Sequence, residues 1–183
     1  AFVYPAVTNW YGAADSTCTG VTIDPTYYYT HWKKWTGTQL TEETSGGIGN
    51  SHCVKLTGTS QGDGKANLEL RTPILNVGNG ATVSCSAWVK GTPGTITVTL
   101  LSGSSTDAVS TEYSTTESDG FSRMDWFEVN IPAATINSTH RYVRMRIRLV
   151  PFTPKYASAA LYVDNPQIVT GASVGPWTIG GVA

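Results

Sequence analysis

Charge is scarce in this 183-residue chain, at 14% Asp, Glu, Lys and Arg against about 25% in an average soluble domain. Thirteen acidic and twelve basic residues leave a net charge of −1. That balance excludes bulk attraction to nucleic acid or to an anionic membrane. Long apolar runs are missing too: none approaches the roughly 20 residues that span a bilayer, so no membrane insertion is expected. No stretch repeats apolar residues at i, i+3, i+4 and i+7 with caps, which leaves few or no helices. Cysteine is limited to Cys18, Cys53 and Cys85, and an odd count leaves one unpaired or linked to another chain.

What replaces charge is glycine, serine and threonine, a balance suited to an all-β chain with many turns. The clearest strand is Arg141 to Val150. Val143, Met145, Ile147 and Leu149 share one face, and Tyr142, Arg144, Arg146 and Arg148 share the other, because successive side chains on a strand leave opposite sides. Thr82 to Lys90 alternates likewise, with Val83, Cys85, Ala87 and Val89 inward and Ser84, Ser86, Trp88 and Lys90 outward. Thr95 to Leu101 turns Ile96, Val98 and Leu100 inward. Ala66 to Thr72 gives Leu68 and Leu70 inward and Glu69 and Arg71 outward. Met124 to Ile131 sends Phe127, Val129 and Ile131 inward and Trp126, Glu128 and Asn130 outward. Weaker strands are expected at His52 to Leu56 and Ala108 to Tyr113, a loop at Pro132 to His140, and a last strand at Leu161 to Val169 interrupted at Pro166. About eight short strands with turn signals between them predict a two-sheet antiparallel β-sandwich.

The length fits one domain, 1–170, opening with an irregular segment, 1–26. Beginning at Ala1 suits a removed initiator Met or a processed secretory precursor. The tail, 171–183, carries Trp177 and Ile179 among glycines and is expected to dock on the domain or on a neighbouring subunit. Cys85 reads as a small core residue. Cys18 and Cys53, beside turn-rich segments, are the candidates for a disulfide, which requires an oxidising compartment.

Catalytic patterns fail on their context. Gly58-Thr59-Ser60-Gln61-Gly62 matches G-x-S-x-G, but a nucleophile elbow needs a helix after the serine, and a turn and another strand follow here. His31, His52 and His140 share no metal-ligand spacing. Glu69 and Glu128 both face outward, and arginines near them favour ion pairing over a glycosidase pair. No phosphate-binding loop or dinucleotide fingerprint is present, so enzymatic activity is not expected. Asn137-Ser138-Thr139 is a glycosylation sequon in an expected loop.

From about Trp32 to Val169 the order of features resembles carbohydrate-binding modules of the jelly-roll, galactose-binding-like kind. The residues that carry the resemblance include Trp35-Thr36-Gly37-Thr38, His52-Cys53-Val54-Lys55-Leu56 and Leu70-Arg71-Thr72-Pro73. Val83 to Gly91, Trp126-Phe127-Glu128-Val129, the arginine strand and Leu161-Tyr162-Val163-Asp164-Asn165 complete it. The same sandwich is reused in phage virion proteins. The resemblance implies a structural calcium on Asp164, with Asp15 or Asp24 as further acidic ligands. It also implies a sugar site on the outward side of a sheet, where Trp88, Trp126 and Tyr142 would stack on sugar rings beside Glu128, Asn130, Arg144 and Arg146. The arginines would suit an acidic glycan.

Two functions are therefore expected. One is a non-catalytic structural subunit, a virion decoration or fibre protein or an extracellular filament, touching copies of itself or other subunits of a particle through Trp177 and Ile179. The other is a glycan-binding module of a secreted glycan-degrading system. Either places the chain on a virion surface or outside the cell.

Overall fold

A computed structural model describes residues 11, 16–21, 32–34, 38–60, 68–117, 125–152 and 154–171. Eleven strands are found among them, with one short 3-10 turn at Ile48–Asn50 and no helix long and apolar enough to cross a membrane. The fold is the expected all-β sandwich of two antiparallel sheets.

The first sheet runs in the order β1 (Lys33–Lys34), β4 (Leu68–Arg71), β10 (Tyr142–Pro151), β7 (Gly94–Gly103) and β8 (Thr111–Glu117), and β5 (Leu75–Asn76) also pairs with β10. The second runs β2 (Gln39–Glu43), β3 (Cys53–Thr59), β11 (Ser158–Thr170), β6 (Thr82–Gly91) and β9 (Phe127–Thr135). Strands far apart in sequence are thus neighbours in space, as a jelly roll requires.

The core forms between the sheets from the residues that alternation turns inward. Leu68, Leu70, Ile96, Val98, Leu100, Val143, Met145, Ile147 and Leu149 meet Val54, Leu56, Val83, Cys85, Ala87, Val89, Leu161 and Val163, all with no exposed surface. Each fully buried aliphatic side chain contributes about 1.5–3 kcal/mol relative to exposure.

Three boundaries depart from expectation. The strand expected at Ala108 to Tyr113 is β8, Thr111–Glu117, because Val109 turns into a small separate cluster with Ile74 and Leu101. β9 extends through Pro132, with Cys85 opposite Ile131 and Val83 opposite Ala134, so the expected loop begins later. β9 lies at the sheet edge, where a missing N–H is tolerated. Pro166 does not break the last strand: β11 runs on through a register shift between Asp164 and Gln167, with Asn165 at φ 47°. This bulge absorbs the proline. It also exchanges the faces, so that Val163 lies inward before it and Ile168 after it.

Candidate functional site

On the outer face of the second sheet, cross-strand pairing sets Lys55 and Lys90 on either side of Tyr162, and sets Asp164 and Glu128 on either side of Trp88. Trp126, just before β9, meets Tyr162 edge to face, with centroids 6.5 Å apart and planes at 78°. The Lys90 ammonium lies 4.8 Å from both ring centroids, and Lys55 lies 5.4 Å from that of Tyr162. Both are cation–π distances. The Tyr162 hydroxyl, and after it the Glu43 carboxylate 3.5 Å from Lys55 Nζ, hold the Lys55 ammonium above the ordinary lysine range.

Beside this cluster runs an open groove of about 700 Å³. Gln39, Lys55, Thr57, Thr59, Thr92 and Tyr162 are among its lining residues, and none of the lining residues is acidic. Hydroxyls, an amide, an ammonium and a ring edge are the groups that meet a neutral sugar.

The other end of this face is closed by the segment 44–52. Asp164, fully buried, accepts hydrogen bonds from Ile48 N–H at 2.9 Å, Asn165 N–H at 2.7 Å and Ser51 Oγ at 3.4 Å. Burial pushes its pKa up, and these donors act against the shift. A Cβ on Gly47 would lie 2.7 Å from Asp164 Oδ2 and 2.4 Å from His52 O, so only glycine lets the segment approach this closely. Lys90 Nζ donates to Gly46 O at 3.4 Å and joins the covered end to the aromatic cluster.

These contacts bear on the calcium expected at Asp164. The groups bonded to the carboxylate are N–H and O–H donors, and the His52 and Ser51 carbonyl oxygens converge with it on Gly47; calcium takes several oxygen ligands, carbonyls among them. No three His, Cys, Asp or Glu side chains come together among the described residues. Asp15 and Asp24, the further acidic ligands expected for that calcium, lie outside the described residues.

The first sheet's outer face is built differently. Glu69, 7% exposed, accepts from Arg71 Nε at 3.1 Å and from Arg148 Nε at 2.5 Å, and Arg146 Nε lies 4.0 Å away. Arg146 also reaches Glu112 at 2.5 Å through its terminal nitrogen, and its Nε is buried without a hydrogen-bond partner. The Arg146 guanidinium holds the Glu112 carboxyl below the usual carboxylate range. Arg144 is 2% exposed and donates from Nε to Thr72 O at 2.8 Å.

The residues singled out for sugar binding therefore do not form one site. Trp88, Trp126, Glu128 and Asn130 stand on the second sheet, whereas Tyr142, Arg144 and Arg146 stand on the first, with the core between them. Arg144 and Arg146 are buried rather than exposed to a ligand: Thr72 O accepts from Arg144, and Glu112 accepts from Arg146. Glu128 is exposed on the other sheet; Glu112 is the second carboxylate of the arginine face. Tyr142 packs on the small cluster of Ile74, Leu101 and Val109 with the Arg141 guanidinium 5.8 Å from its ring. Trp88 is half-buried, and Ser84 and Ser86 are buried.

Sequence reading passed over Tyr162, Lys55, Gln39 and Thr57. Alternation in Leu161-Tyr162-Val163 and Val54-Lys55-Leu56 already put Tyr162 and Lys55 outward, but their meeting required the pairing of β3 with β11.

The disulfide expected between Cys18 and Cys53 is not formed: all three cysteines are buried as thiols outside any disulfide. Cys18 Sγ lies 3.7 Å from Val163 O. Cys53 is walled in at Gly46, and burial together with the Asp164 charge pushes its thiol up to about 11. Trp177 and Ile179 lie outside the described residues.

No family model and no curated protein matches the sequence. Solved structures match the fold. The first xylan-binding domain of the CBM22 type from Paenibacillus barcinonensis Xyn10C superposes with a TM-score of 0.58 at 12% identity, over 94% of this chain and all of that one. A CBM22–GH10 portion of xylanase 10B from Clostridium thermocellum, solved with xylohexaose, gives 0.55 at 16% identity over 79% of this chain. The present chain spans 27% of that two-module protein. A third, TmCBM61 bound to β-1,4-galactotriose, gives 0.52 at 10% identity over 89% and 99% of the two chains. The chain thus has the jelly-roll sandwich fold of carbohydrate-binding modules.

Proposed function

We propose that this chain is a non-catalytic glycan-binding module that acts outside the cell, in a glycan-degrading system, and takes a neutral polysaccharide into the groove of the second sheet. The observation that carries the reading is the Trp126–Tyr162 pair beside a groove lined by Gln39, Thr57 and Thr59 with no acidic residue. Apolar sugar faces stack on such rings, while hydroxyl and amide groups exchange hydrogen bonds with sugar hydroxyls. Lys90 and Lys55 steady the rings and supply further donors. The shared sandwich fold supports the same reading, although function on a reused fold is argued from the site.

Calorimetric titration with xylohexaose and β-1,4-galactotriose tests it, with Trp126→Ala and Tyr162→Ala as variants. The parent is expected to bind at least one of the two, and each variant to lose about tenfold, equivalent to about 1.4 kcal/mol. A parent that binds neither sugar, or variants that bind like the parent, would overturn it. The alternative of a virion decoration, fibre or filament subunit takes its motive from the tail, of which 172–183 lie outside the described residues.

A further inference from the structure

The first sheet's outer face carries a feature that the groove does not use. We propose that Arg71 and Arg148 form a carboxylate-binding fork for the uronic-acid units of an acidic polysaccharide, with buried Glu69 as the residue that positions both. The inference shares the reading of the chain as a glycan-binding module but uses the opposite side of the sandwich.

The geometry follows from the strand pairing. Arg148 stands opposite Glu69, and Arg71 stands opposite Arg146, so all four share the outer face. Glu69, with 9% of its side chain exposed, receives Arg71 through Nε on one carboxylate oxygen and Arg148 through Nε on the other. Each guanidinium has five N–H donors in a fixed fork. Among the described residues, each spends only its inner nitrogen on a partner. Among the described residues, the terminal nitrogens of Arg71 and Arg148 have no hydrogen-bond partner, and their side chains are 20% and 38% exposed.

An arginine recruited only to neutralise Glu69 would gain most by a bidentate pair through two nitrogens. Two arginines sharing one carboxylate through single nitrogens leave both outer ends preorganised and unspent. Among the described side chains, Arg71, Arg146 and Arg148 gather around the carboxylates of Glu69 and Glu112, beside buried Arg144. A planar carboxylate fits a guanidinium fork. Thr97, opposite Arg148 and half-buried, adds a hydroxyl beside the fork.

The experiment compares an oligogalacturonate with its methyl ester, which removes the ligand's charge and leaves the protein untouched. The acid form is expected to bind at least about tenfold more tightly than the ester, the scale of a charge-assisted hydrogen-bonded pair. Arg71→Met and Arg148→Met should bring the acid form down to the ester's level. Arg148→Lys should not restore the preference, because an ammonium lacks the fork. Glu69→Gln, checked for folding by its thermal midpoint, should lower acid-form affinity while the terminal nitrogens remain present. Equal binding of acid and ester by the parent would overturn the proposal. Equal binding of poly-glutamate, lost in the same variants, would also overturn it by making the face a general polyanion surface. The groove reading fails separately, on the neutral sugars.

Discussion

The two outer faces of the sandwich handle charge in opposite ways. On the first sheet, arginines and glutamates interlock across strands, and the central carboxylate is nearly buried. On the second, lysines lie over aromatic rings beside a groove without acidic lining. A chain poor in charge can bury ionic groups only where strand pairing delivers the counter-charge, since an unpaired buried ion costs several kcal/mol. Where pairing delivers aromatic rings instead, the lysine ammonium groups lie over the rings and take cation–π contacts in place of a counter-charge. One face is rigid because its charges fix one another; the other is open because its lysines do not.

The largest effect is expected from breaking the first face at its centre. Glu69→Ala leaves Arg71, Arg146 and Arg148 without their shared carboxylate, and should destabilise the fold by about 3–5 kcal/mol in urea unfolding. A loss below about 1 kcal/mol would mean that the lattice is ornamental to stability. On the second face, Asp164→Ala strips the acceptor from Ile48 N–H and Asn165 N–H. It should cost about 1–3 kcal/mol, with amide exchange at Ile48 rising more than exchange in the core strands. Unchanged protection at Ile48 would show that the covering segment holds without Asp164.

A smaller effect, with a definite sign, is expected in acid. Glu42 accepts hydrogen bonds from Gly20 N–H, Val21 N–H and His52 Nδ1. Burial raises its pKa, but these bonds together outweigh burial and hold it below the ordinary 4.5. Its stabilising contribution is therefore complete above the ordinary value and is lost as the pH falls through the lowered one. Asp164 is shifted the other way, above 3.8, so its contribution is complete below the ordinary value and is lost as the pH rises through the raised one. Glu42→Gln should then lose less stability than the parent between about pH 5 and about pH 3. Parallel losses in the two proteins would count against the Glu42 assignment. Smallest of all, Glu112→Ala should change stability by less than about 1 kcal/mol, because its side chain is 56% exposed. A loss as large as that of Glu69→Ala would erase the distinction between the centre of the lattice and its rim.

Period-two alternation made the strands and their inward residues legible, and it did so for residues as different as Cys85 and Met145. It failed at β11, where the bulge at Pro166 exchanges the two faces. It also failed at β9, where an edge position lets the strand run through Pro132. For the site, alternation marked Trp126 as outward but gave no reason to prefer Tyr162 as its partner over Trp88 or Tyr142. Outward is a statement about one strand, whereas a site is a statement about several.

By itself the sequence determined an all-β sandwich, a net charge too small for polyanion binding in bulk, and a strand whose arginines all leave one side. Those follow from composition and from the local geometry of an extended chain. The tertiary structure decided that Arg144 and Arg146 are buried while, among the described residues, Arg71 and Arg148 keep unspent donors. It also gave the arginine face Glu69 and Glu112 rather than Glu128, and joined Trp126 to Tyr162. Each depends on which strands pair and in what register, and that is set by burying both inner faces at once rather than by any segment alone.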